Sequence, residues 1–113
     1  MKIISQNISL QELNQLAGEF YGDMVKAVVD VDRGIIAVNA ELHADLEACL
    51  LAEGSKQNNL WGINLYPKVA GDGFIEFDSM INVRPNQGNR SRDVQDKVVR
   101  EKIIQIVGER VSR

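Results

Sequence analysis

The chain has 113 residues, 44% of them hydrophobic, and is sized for one domain that buries about two thirds of the surface its unfolded form exposes. A single cysteine, Cys49, excludes an internal disulfide and a CxxC metal or redox pair, and no apolar run approaches the roughly 20 residues of a membrane span or resembles a signal peptide. The net charge of -3 argues against general nucleic-acid binding, so the expectation is one cytoplasmic domain over residues 1–113, with no cofactor and no membrane partner.

Charge is unevenly spread. Residues 1–56 carry four basic and nine acidic side chains, and residues 57–113 carry nine basic and seven acidic ones. Such an asymmetry orients an encounter with a charged partner or lets two copies dock head to tail, and mild dipoles also arise by chance.

Ser9-Leu10-Gln11-Glu12 has the capping-box spacing, in which serine and glutamate side chains accept backbone N–H groups left free at a helix start, with Ile8 and Leu13 as a hydrophobic staple. Leu10, Leu13, Leu16, Ala17 and Phe20 then form one apolar stripe, which predicts a helix over 9–20 ending near Gly22. The valine-rich run from Val25 to Val31, the Asp32-Arg33-Gly34 turn and Ile35 to Val38 predict a hairpin. Pairing Val31 with Ile35 sets Val29 against Ala37 and Val28 against Val38, with both faces apolar, as in strands covered on both sides.

Asn39 is placed to cap a second helix over 40–53, stopped by Gly54. Its buried side holds Leu42, Leu46, Cys49 and Leu50, with Glu53 at the same spacing; Glu41, His43, Asp45 and Glu47 fall on the wet side. Cys49 is expected as a small buried hydrophobe.

Leu60 to Tyr66 and Phe74 to Arg84 predict two strands joined by a loop with Pro67 and Gly71-Asp72-Gly73. With Tyr66 opposite Phe74, Trp61, Ile63 and Leu65 share a face with Ile75, Phe77, Ser79, Ile81 and Val83, which places Trp61 in the core. Asn64 and Tyr66 share the other face with Glu76, Asp78, Asn82 and Arg84, and a slip by one residue would mix the two sets. A last helix over 95–110 presents Val94, Val98, Ile103, Ile106 and Val107 on a broad apolar side and keeps Arg100, Lys102 and Arg110 wet. The order α-β-β-α-β-β-α predicts an α+β domain with a mainly antiparallel four-stranded sheet and three helices.

The blocks GDMVKAVVDVDRGIIAV, AELHADLEACLL, GSKQNNLWGINLYP and IEFDSMINVRPNQGNRSR resemble a family of short, uncharacterised bacterial proteins well represented in cyanobacteria. The resemblance spans nearly the whole chain. It implies an unknown function and brings no catalytic residue, cofactor or substrate with it.

Three groups of residues have the chemistry for a site. The loop from Arg84 to Arg92 holds three guanidinium groups, Arg84, Arg90 and Arg92, with Asn89, Gly88 and Ser91 and no acid. Guanidinium forks pair well with phosphate or carboxylate, and glycine lets backbone N–H groups approach a ligand, so a small-anion site is one reading. A surface turn whose arginines are solvated or paired with Glu76, Asp78 or Asp93 is the plainer one. His43 and Glu47, four apart on a helix, would with a strand carboxylate make a thin site suited to magnesium or manganese, but no second histidine exists to fix it. An ordinary surface or half-buried histidine is the plainer reading there, and no metal is expected. Glu76 and Asp78, with α-carbons about 7 Å apart on strand geometry, would divide acid and base roles only if their surroundings pushed their pKa values apart. Pairing with Arg84, or plain exposure, is the ordinary outcome.

Two function classes follow. One is a small cytoplasmic binding or interaction module, self-associating, that works through the polar sheet face (Asn64, Tyr66, Asn82) and the arginine loop. The other is a small enzyme acting on a phosphate- or carboxylate-bearing metabolite, with Glu76, Asp78 or His43 as acid or base and Arg84, Arg90 and Arg92 holding the anion. A deep pocket joining His43 or the carboxylates to the arginines marks the enzyme, whereas a flat or grooved surface marks the binding module.

Overall fold

The computed structural model describes all 113 residues. In chain order the elements are β1 (Lys2–Ile4), β2 (Ile8–Ser9), α1 (Leu10–Phe20), β3 (Val25–Asp30), β4 (Ile35–Val38), α2 (His43–Ala52), β5 (Leu60–Leu65), β6 (Ile75–Glu76), α3 (Lys97–Arg110) and β7 (Val111–Ser112). The main sheet is five-stranded in the order β1-β4-β3-β5-β6 and antiparallel throughout, and β2 pairs in parallel with β7. The class is α+β, with five strands in the sheet where the sequence predicts four. The strands missed at the chain ends are three residues or fewer, too short to show an alternating pattern.

The sheet is covered on both faces, which explains the valine-rich centre. Val25, Ala27, Val29, Ile36, Val38, Trp61, Ile63 and Leu65 pack against Leu13 and Ala17 of α1 and Ile103, Ile106 and Val107 of α3. Val28, Ile35, Ala37 and Leu60 point the other way, onto Leu46 and Leu50 of α2.

The hairpin register is one residue away from the predicted one. Asp30 faces Ile35, Val29 faces Ile36 and Val28 faces Ala37. Asp30 sets it: its buried carboxylate accepts the N–H groups of Asp32 and Arg33, both at 2.9 Å, and the Ser55 hydroxyl at 2.6 Å. Its side chain thus forms a turn in place of one more strand pair, and Gly34 at φ 67° closes it.

Capping behaves as expected at α1, where Ser9 Oγ accepts the Glu12 N–H at 3.1 Å. It does not at α2. Asn39 sits at φ 74° without capping, the helix starts at His43, and His43, Leu46 and Leu50 form the buried stripe, while Leu42 is exposed and Cys49 half-buried. In α3, capped by Asp96, Ile103, Ile106 and Val107 are buried as expected, whereas Val98 lies outside the stripe, 72% exposed.

The strand expected from Phe74 to Arg84 is the largest departure. Tyr66 N–H does bond Phe74 O at 2.9 Å, and the predicted pairing of Asn64 with Glu76 holds, but strand pairing stops at Glu76. Beyond it the chain makes short 3-10 turns at Met80–Asn82 and Pro85–Gln87. Ser79 lies so close over Gly62 that a Cβ there would come within 2.6 Å of it, so the chain crosses β5 instead of running alongside it.

Candidate functional site

α2 covers only one end of its face of the sheet. At the other end Lys26, Asn64 and Glu76 stand in a row across β3, β5 and β6, because the register pairs Lys26 with Asn64 and Asn64 with Glu76. Asn64 Nδ2 donates to Glu76 Oε1 at 2.8 Å and to the Asp78 carbonyl at 3.3 Å, and the Tyr66 hydroxyl donates to the same Glu76 oxygen at 3.0 Å. Burial and then the bond to Glu76 raise the Tyr66 pKa, which keeps the hydroxyl a donor. Next to this group Arg92 Nε donates to Asp78 Oδ1 at 2.5 Å, with both side chains about half exposed. The parity read from the sequence thus brings Asn64, Tyr66 and Glu76 together, with Asp78 and Arg92 beside them.

His43 joins them from α2. It is buried, and its Nε2–H donates to the Ile63 carbonyl at 2.7 Å. Burial pushes its pKa down to about 4; the Lys26 and Arg92 charges act in the same direction, and the Ile63 bond and Asp78 oppose them. The imidazole is therefore neutral at pH 7, with Nδ1 left as an acceptor. This corrects its assignment to the wet side of the helix. The expected pairing with Glu47 does not form either, since His43 turns to Ile63 and Glu47 to Arg84.

Asn64 is itself buried under these neighbours, with its Oδ1 unpaired, and Asn82 and Arg84 do not belong to the polar surface. Asn82 is fully buried, with its amide on the backbone of Gly62 and on the Arg92 carbonyl. Arg84 is 9% exposed; Nη2 pairs with Glu47 Oε2 at 3.1 Å, and the guanidinium lies 5.0 Å from the centre of the Trp61 ring. Its Nη1 is buried without a protein partner. Burial lowers the Arg84 pKa, and Glu47 acts against that shift. Trp61 is buried as expected.

Asn89 is also internal. Its Nδ2 donates to the carbonyls of Asn82, Ser91 and Asp93, and its Oδ1 accepts the Gln95 N–H, which fastens the loop to the start of the α3 segment. The three guanidinium groups consequently do not converge. Arg84 faces inward, Arg92 meets Asp78, and Arg90 is exposed beside Gly88 at φ 81°.

Two features escape the sequence reading. Lys26 is one; its signal was a cation among the apolar residues at the start of β3, opposite Asn64. The other is a cleft of about 650 Å3 between the Gly71–Phe77 segment and α3. Neither this cleft nor a more open concavity of about 610 Å3 beside Phe20 and Cys49 is lined by His43, Glu76 or Asp78. No helix is long and apolar enough to cross a membrane.

Among models of protein families, one described as protein of unknown function (DUF5674) matches residues 2–110. No curated protein and no solved structure matches the chain.

Proposed function

We propose that this chain, which belongs to the family of unknown function just matched, is a small cytoplasmic binding module whose working surface is the polar end of the sheet together with Arg90 and Arg92. The observation that carries the reading is the bond from Arg92 to Asp78, which joins the arginine loop to the group formed by Asn64, Tyr66 and Glu76. Glu76 and Arg92 there are exposed and Tyr66 and Asp78 partly so, all anchored over a buried Asn64 that bonds Glu76 and the Asp78 carbonyl. The ligand in this reading is a small anion that competes with Asp78 for Arg92, with the exposed charge of Arg90 on the same loop adding attraction at a distance. The acidic first half and more basic second half support self-association, and the lone cysteine supports the cytoplasm.

A second reading, an enzyme acting on a phosphate- or carboxylate-bearing metabolite, draws on the neutral imidazole of His43 near Asp78, but a pKa of about 4 makes it a weak base at pH 7. The binding reading takes precedence because Glu76 and Asp78 lie outside both concavities and Arg84 is committed to Glu47.

Titration with inorganic phosphate, followed by amide shifts, tests the proposal. Saturable shifts at Gly88 to Asp93 and at Asn64 to Tyr66 are expected, weakening with salt and lost in the Arg90→Ala, Arg92→Ala double variant. Unchanged spectra at millimolar phosphate would overturn it.

A further inference from the structure

The cleft between the Gly71–Phe77 segment and α3 has a different chemistry from the polar end. Its floor is apolar, from Phe74, Ile75, Phe77, Ile104 and Val107, and Ile104 is 50% exposed there. Two guanidinium groups flank it, each over an aromatic ring. Arg100 stands 4.0 Å from the centre of Phe77 and Arg113 4.7 Å from that of Phe74. Arg100 is already paired with Asp93, whereas no side-chain carboxylate pairs with Arg113. Asp72 is the one acid in the lining, and with Arg100 held by Asp93 the guanidinium left for a ligand is that of Arg113.

Gly108 adds an independent observation. It lies within α3, where glycine costs helix stability relative to alanine. A Cβ built on it meets nothing within 4 Å, so no neighbour demands the glycine. Its missing side chain leaves that wall of the cleft open.

We propose that this cleft binds an amphipathic organic carboxylate, with its acyl or aryl body on the Phe77–Ile104 floor and its head on Arg113. The volume is in the range of small-molecule sites, which are mostly apolar with a few placed polar groups. A guanidinium stacked on a ring keeps its N–H edges available for a bidentate carboxylate. A purely inorganic anion would leave the apolar floor uncovered, and a neutral hydrocarbon would leave Arg113 unused. None of the polar-end residues lines this cleft, so the two sites stand or fall separately.

Decanoate and decan-1-ol, titrated separately by calorimetry and amide shifts, provide the test. Decanoate is expected to bind saturably, with shifts centred on Gly71, Phe77 and Gly108, and about tenfold more tightly than the alcohol, the worth of one charge-assisted pair. Arg113→Gln should bring the two affinities together. Gly108→Leu should fill the cleft and abolish binding while the melting temperature stays level or rises, and Ile104→Glu, at an exposed position, gives the same loss of binding by charge. Equal affinities for acid and alcohol in the wild type would overturn the proposal, as would no saturable binding at millimolar ligand or full binding in Gly108→Leu and Ile104→Glu.

Discussion

The side-chain amide of Asn82 occupies the place of a neighbouring strand beside Gly62, accepting the Gly62 N–H at 2.8 Å and donating to the Gly62 carbonyl at 2.9 Å. β6 reaches only Asn64 and Leu65, so without Asn82 the backbone of β5 at Gly62 would be buried and unpaired. Asn82→Ala should cost about 2–4 kcal/mol, from two orphaned backbone groups. Urea unfolding measures this, and a loss under about 0.5 kcal/mol would contradict the role.

Gly62→Ala should destabilise by a comparable route. Its new methyl would meet Ser79 Cβ and Oγ at 2.6 Å, and overpacking of that kind costs about 1–3 kcal/mol. Adding Ser79→Gly should recover part of the loss. No recovery would place the strain elsewhere.

Arg84 and Glu47 behave as a buried pair, with side chains 10% and 14% exposed. Glu47→Gln alone leaves the guanidinium without its counter-charge and should cost about 3–5 kcal/mol, whereas Glu47→Leu with Arg84→Met should cost much less. Additive losses in the double variant would show that the pairing is not the source of the effect.

Local chemistry made some of this fold legible in the sequence. The Ser9 to Glu12 capping box marked α1, and the segregation of Asn64, Tyr66 and Glu76 from Trp61, Ile63 and Leu65 gave the β5–β6 pairing correctly. Errors arose where one side chain overrode a pattern. Asp30 shortened the hairpin by one pair, and Asn39 adopted a left-handed conformation instead of capping, so α2 began three residues later than expected and His43 fell on its buried side. Past Glu76 the alternation continued in sequence, but Asn82 and Asn89 bonded carbonyls across the loop and turned it inward, taking Arg84 with it. Long-range side-chain-to-backbone bonds of this sort carry no periodicity, so the arginine loop read as one cluster when its members face three ways.

His43 gives stability a definite pH dependence. Its folded pKa of about 4 lies below the ordinary value near 6.5, so the unfolded chain takes up the proton first as pH falls. Stability from this group is whole above about pH 6.5, declines through the interval down to about pH 4, and levels off below. Between pH 7.5 and 5 the loss should be about 2 kcal/mol, and it should be missing from His43→Gln. An imidazole that titrates near 6.5 in the folded protein would contradict this.

The phosphate affinity of Asp78→Asn, measured beside wild type and the Arg90→Ala, Arg92→Ala double variant, bears most directly on the proposed working surface. Asp78 competes with the ligand for Arg92, so the neutral amide should tighten phosphate binding by a factor of about 3 to 10, while the double variant should lose it. Equal affinities in all three proteins, or weaker binding in Asp78→Asn, would contradict an anion site at the meeting point of the arginine loop and the polar sheet end.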